Sequence, residues 1–135
     1  MTKCVYLDAS FWVTYRSEDE ARHPDAKRTV SSLFRERVLF VTTLPVICEI
    51  HAAFSRNPQR CALILEDLWN NPLVKIQDVS HKDQKAAIEI LQTNGDKTYS
   101  LSDAISFAIM RRLTIHRAVS FDKHFRQFGE FEIIP

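Results

Sequence analysis

Four carboxylates carry the chemistry that this sequence could perform. Asp8 ends the apolar run VYL and is followed by Ala9 and Ser10; Glu49 lies in LPVICEIHAAF, Asp103 in YSLSDAISFAIM, and Asp122 in AVSFDKHF. Each has a dull local explanation. Asp8 and Asp122 stand where the N-cap of a following helix would stand, and a cap acid accepts hydrogen bonds from the first helical amides. Ser100 and Asp103 have the spacing of a capping box. Glu49 falls roughly 80° from the centre of the stripe Val46, Ile50, Ala53 and Phe54, which is compatible with an ordinary surface glutamate. Four acids brought to one place are different, because like charges repel and shift one another's pKa values unless a cation balances them. Carboxylate oxygens with no histidine or thiolate among them suit Mg²⁺ or Mn²⁺. A phosphoaspartate enzyme would need a second acid two positions after Asp8, and Ser10 stands there instead.

The elements that could gather these acids are those of a parallel sheet. Cys4–Leu7 and Val38–Thr42 are short apolar runs that fit buried strands; 73–79, 117–120 with the preceding Ile115, and 132–134 are weaker ones. Helical spacing runs over roughly 24–36, 44–55, 57–70, 81–93, 101–113 and 122–128, with another helix starting near Phe11. Short strands alternating with helices predict an α/β fold: three layers, with a central parallel sheet of about five strands covered on both faces. Such a sheet places ligands outside the carboxyl ends of its strands. Asp8 ends the first strand and Asp122 follows the fourth, so both belong to one edge, and Asp103 and Glu49 in the helices that follow would join them there.

The bulk composition fits one fully folded domain over residues 1–135. A chain of this length buries roughly two thirds of its unfolded surface. It is 45% hydrophobic and 26% charged, and two Gly and five Pro leave little for a linker. A net charge of +1 excludes a protein that coats nucleic acid through bulk charge, although not one with a local basic face. No apolar run approaches the roughly 20 residues needed to cross a bilayer, and the first apolar stretch has no cleavage site, which predicts a soluble, cytoplasmic protein. Cys4, Cys48 and Cys61, an odd number in apolar contexts, read as reduced core thiols. The five histidines lack the spacing of a zinc hydrolase.

Taken together in order, YLDAS, Glu49, SLSDAISFAIMRR and AVSFDKHF resemble the four acidic blocks of the PIN-domain family, specifically the VapC-type toxins of toxin–antitoxin pairs. The resemblance runs from end to end. It implies hydrolysis of RNA phosphodiesters with Mg²⁺ or Mn²⁺, leaving a 5′-phosphate and a 3′-hydroxyl. Asp8 and Asp103 would be the main metal ligands, Asp122 a ligand directly or through water, and Glu49 a water-mediated ligand or base. Ser10 and Ser120 would orient the acids by hydrogen bonds; many relatives carry Thr where Ser120 stands, and either keeps a hydroxyl. Asp96 matches an accessory acid of some relatives, although a solvated loop residue after Gly95 explains it too. A cognate antitoxin, an RNA substrate and a homodimer are the implied partners, with no role for a membrane. The alternatives within the resemblance are a PIN nuclease of RNA processing and an inactive PIN-like module that only binds RNA or protein. Because an acidic pocket repels phosphate, RNA is expected along Lys97, Arg111, Arg112, Arg117, Lys123 and Arg126, a surplus over nearby acids that ordinary surface charge would also produce.

Overall fold

The computed structural model describes residues 3–135. Five strands form one parallel sheet: β1 (Cys4–Leu7), β2 (Leu39–Thr42), β3 (Val74–Ile76), β4 (Arg117–Val119) and β5 (Glu132–Ile134), in the order β3-β2-β1-β4-β5. Seven helices connect and flank them: α1 (Ala9–Tyr15), α2 (His23–Arg35), α3 (Leu44–Ala53), α4 (Pro58–Trp69), α5 (His81–Thr93), α6 (Leu101–Leu113) and α7 (Lys123–Phe128). This is the three-layer αβα arrangement that the alternation predicts. The first helix begins two residues earlier than expected, directly after Asp8, and β3 is three residues long rather than seven. Right-handed crossovers put α1–α4 on one face of the sheet and α5–α7 on the other.

The strands are short and apolar because both their faces are covered. Val5, Tyr6, Leu7, Ala118 and Val119 have no exposed surface. Helix α6 is buried at every position from Asp103 to Met110, which makes it the central helix of its layer and explains why it is apolar around most of its circumference. Phe107 on α6 stacks on Phe128 with centroids 4.2 Å apart and meets Phe125 edge-on at 5.0 Å, fixing α6 against α7. The phenol of Tyr6 is a polar group inside this core. It is satisfied by Ser106 Oγ at 2.7 Å and Thr43 Oγ1 at 3.3 Å, and burial pushes its pKa upward.

Strand order reverses between β1 and β4, whose chains leave in opposite directions across the sheet, and their carboxyl ends meet at Tyr6↔Ala118 and Leu7↔Val119. The Asp8 amide donates to the Val119 carbonyl at 3.1 Å. Asp8 and Ser120 therefore emerge side by side at the carboxyl edge of the sheet. Of the cysteines, Cys61 is buried and Cys4 half-buried, but Cys48 is exposed rather than in the core, because it lies on the outer side of α3 beside Glu49. No helix among the described residues is long and apolar enough to cross a membrane.

Candidate metal and catalytic site

At the reversal point Asp8 is the N-cap of α1 by position, yet its side chain caps nothing. Its Oδ2 accepts hydrogen bonds from Ser10 Oγ at 2.6 Å and Ser120 Oγ at 2.7 Å. Ser10 Oγ in turn accepts from the Phe121 amide at 3.0 Å, and Ser120 Oγ from the Asp122 amide at 3.0 Å. The carboxyl is 4% exposed, and burial, with repulsion from Asp103 and Asp122, pushes its pKa up to about 6 against the pull of the two hydroxyls.

Asp103, Asp122 and His124 form the tight group. One side-chain ligand atom from each lies within 4.8 Å of the others. His124 Nδ1 is 2.9 Å from Asp103 Oδ2 and 3.5 Å from Asp122 Oδ1, and its Nε2 is 3.1 Å from Thr98 Oγ1. The Asp103 carboxylate can only accept, so the neutral ring carries its proton on Nδ1 and donates it to Asp103, while Nε2 accepts from the Thr98 hydroxyl; a cation bound here would take the place of that proton. Both capping readings also hold. Asp103 completes a box with Ser100, and Asp122 Oδ1 accepts from the His124 amide at 2.9 Å. Capping and clustering use the same first turns, so neither acid had to be one or the other. Glu49, exposed on α3, stands outside the tight group; partial burial of its carboxylate and the field of Asp103 and Asp122 raise its pKa, while the Ser102 hydroxyl lowers it.

The donor set fits a divalent cation: oxygens from two acids and one imidazole nitrogen, with a third acid, Asp8, buried close enough to feel both. Histidine 124 is the member that spacing arguments passed over. They searched for paired histidines, whereas this one follows Asp122 by two residues in the first turn of α7 and meets Asp103 only through the fold.

The six expected rim cations divide into two sets. Lys123 is exposed beside Asp122, Arg126 lies a turn further along α7 and bonds the Pro135 carbonyl, and Lys97 lies in the loop next to Thr98. Asp96 is exposed and 3.5 Å from Lys97. Arg111 and Arg112 end α6 and Arg117 starts β4, at the opposite edge of the sheet. Each of these three is paired: Arg111 with Glu130 at 2.8 Å, Arg112 with Asp83 at 2.6 Å and Arg117 with Glu36 at 3.1 Å.

A family model described as PIN domain matches residues 5–130. The 23S rRNA-specific endonuclease VapC20 of Mycobacterium tuberculosis is 30% identical over 132 residues, covering 97% of this chain and 98% of that one. The crystal structure of that sarcin–ricin loop cleaving toxin superposes with a TM-score of 0.84 at 28% identity over 97% of this chain and 99% of that one. FitAcB from Neisseria gonorrhoeae, at 14% identity and TM-score 0.67, and VapBC2 from Rickettsia felis bound to a promoter DNA fragment, at 15% and 0.70, share the fold; coverage is 97% of this chain and 96% of that one for FitAcB, and 96% of each for VapBC2.

Proposed function

The chain belongs to the PIN-domain family, and from that premise we propose that it is a metal-dependent endoribonuclease, the toxin of a type II toxin–antitoxin pair. One observation carries the reading: Asp103, Asp122 and His124 converge beside a buried Asp8 that two serines hold in orientation. The ion would be Mg²⁺ or Mn²⁺, held by Asp103, Asp122 and Asp8, with His124 able to add its Nδ1 once the proton shared with Asp103 has left. When bound, such an ion supplies charge stabilisation for phosphate oxygens and acidifies a water. The protein's own groups do the rest. Ser10 and Ser120 hold the Asp8 carboxylate in one orientation through its Oδ2. Glu49, whose carboxylate is made more basic by its surroundings, takes the proton of the attacking water on an Oε atom as the water oxygen bonds to phosphorus; the bond from phosphorus to the 3′ oxygen breaks, and that oxygen takes a proton from solvent to become the 3′-hydroxyl.

The proposal extends to a cognate antitoxin, to action in the cytoplasm as one domain over residues 1–135, and to a homodimer. Kinship with a 23S rRNA-specific endonuclease makes ribosomal RNA the first substrate to test. Purified protein should cleave it in Mg²⁺ or Mn²⁺, leave 5′-phosphate ends, and stop in excess EDTA. Cleavage that continues undiminished in chelator would exclude the mechanism, and binding without cleavage would favour the inactive module.

A further inference from the structure

Beside the acids stands one cation that the spacing of residues does not single out. Arg22 occupies the N-cap position of α2, just after the exposed acids Glu18, Asp19 and Glu20. Its guanidinium carbon lies 4.3 Å from the centroid of the Phe121 ring, and that ring stacks on Phe11 with centroids 5.5 Å apart. Phe121 is the residue between Ser120 and Asp122, and its amide donates to the same Ser10 hydroxyl that donates to Asp8. Contacts thus run unbroken from Arg22 through Phe121 and Ser10 to the Asp8 carboxylate. A second run leaves the acids through His124 and Thr98 to the loop that carries Lys97.

Arg22 also differs from the other arginines named so far. Arg111, Arg112 and Arg117 spend an Nη group on an acid. Arg22 is tethered to Asp25 only through Nε, at 3.3 Å, and among the described residues its two Nη groups have no partner. The ring holds the guanidinium in place, so little further ordering is needed when an anion arrives. Two parallel N–H groups on a planar fork match a phosphate, and a fixed positive charge at this rim offsets the field of the acids that would otherwise repel the RNA backbone.

We propose that Arg22 binds a backbone phosphate of the RNA next to the one that is cut, so that the strand crosses the acids between the Lys97 and Lys123 rim and the start of α2. The inference rests on the nuclease reading, and its test separates the two. Binding of a short fluorescein-labelled single-stranded RNA is followed by anisotropy in EDTA, where nothing is cleaved, across about 25–200 mM salt. Arg22→Gln should weaken binding about tenfold at the low end and make the salt dependence shallower by about 0.7 in log–log slope, the loss of one phosphate contact. Arg35→Gln, at the other end of the same helix, should change neither. Arg22→Lys should keep the slope and lose part of the affinity, since it retains the charge without the fork. A wild-type slope in Arg22→Gln overturns the proposal, as does a lowered melting midpoint with the slope unchanged. Should Arg22→Gln fail to fold, wild-type affinity in Arg22→Lys overturns it equally. Metal-dependent cleavage by the wild-type protein decides the nuclease reading separately.

Discussion

At neutral pH the carboxyl of Asp8 is ionised in a place that disfavours the charge, since its pKa in the folded chain is about 6 and its ordinary value 3.8. The sign follows directly. A pKa raised by folding means that stability from this group is fully present below pH about 4 and is lost as pH rises through about 6. Asp8→Asn, which keeps the shape and removes the charge, should therefore match the wild-type protein near pH 4 and exceed it at pH 7 when no metal is present, by about 3 kcal/mol at most. Urea melts at the two pH values in EDTA check this. A variant that is less stable than wild type at pH 7 would show that the two serine hydrogen bonds outweigh the burial of charge. At neutral pH such a buried, ionised acid is a cost for the fold, which a bound cation would offset.

Two helices of this chain begin with the same device, and their acids do different work. Ser80 and Asp83 box the start of α5, and Ser100 and Asp103 box the start of α6. Asp83 is buried and gripped by Arg112 through both carboxylate oxygens, at 2.6 and 2.9 Å, which ties α5 to the far end of α6 and lowers its pKa. Among the described residues Asp103 pairs with no arginine; it faces Asp122 and His124. Asp83→Ala should cost about 1–3 kcal/mol with or without metal, through a lost cap and a lost charge-assisted pair, while cleavage persists at permissive temperature. Asp103→Asn should do the reverse. Its metal-free melting midpoint should equal or exceed wild type because one repelling charge is gone, added Mn²⁺ should raise the wild-type midpoint but hardly move the variant's, and cleavage should vanish. A variant that melts lower without metal and still cleaves RNA would return Asp103 to the role of a helix cap.

Over the whole molecule, charge is sorted by sheet edge. The site acids gather at the carboxyl edge with Lys97, Lys123, Arg126 and Arg22 about them, and Arg111, Arg112 and Arg117 at the opposite edge are consumed in ion pairs that tie the end of α6 and the start of β4 to neighbouring segments. The apolar surface is sorted as well. Leu44, Trp69, Ile88 and Leu101 are each about half-exposed or more and line one groove between the starts of α3 and α6 and the outer face of α5. A gathering of large apolar side chains on one surface supports the proposed homodimer. Light scattering should then give twice the 15.7 kDa chain mass at micromolar concentration, and a monomer mass across that range would remove the dimer.

The fold class was legible in the sequence because a parallel sheet covered on both faces needs short runs apolar on consecutive residues, and VYL and LFVT are such runs between segments of helical spacing. The same pattern located Asp8 and Asp122, which follow strand ends on one edge of any such sheet, and Asp103 in the first turn of a helix that starts at that edge. What the sequence could not decide was whether these acids only cap helices, because capping is local and leaves the same signature in Ser80–Asp83 as in Ser100–Asp103. Tertiary structure set the two boxes apart: Arg112 reaches Asp83 from a helix end 29 positions away, while Asp122 and His124 reach Asp103 from beyond β4. It also sent Arg111, Arg112 and Arg117 to the far edge, since a helix of 13 residues carries its last turn about 15–20 Å from its first. Arg22 and His124 joined the site by packing alone, through contacts between residues 99 and 21 positions apart, and no periodicity in one chain records such a meeting.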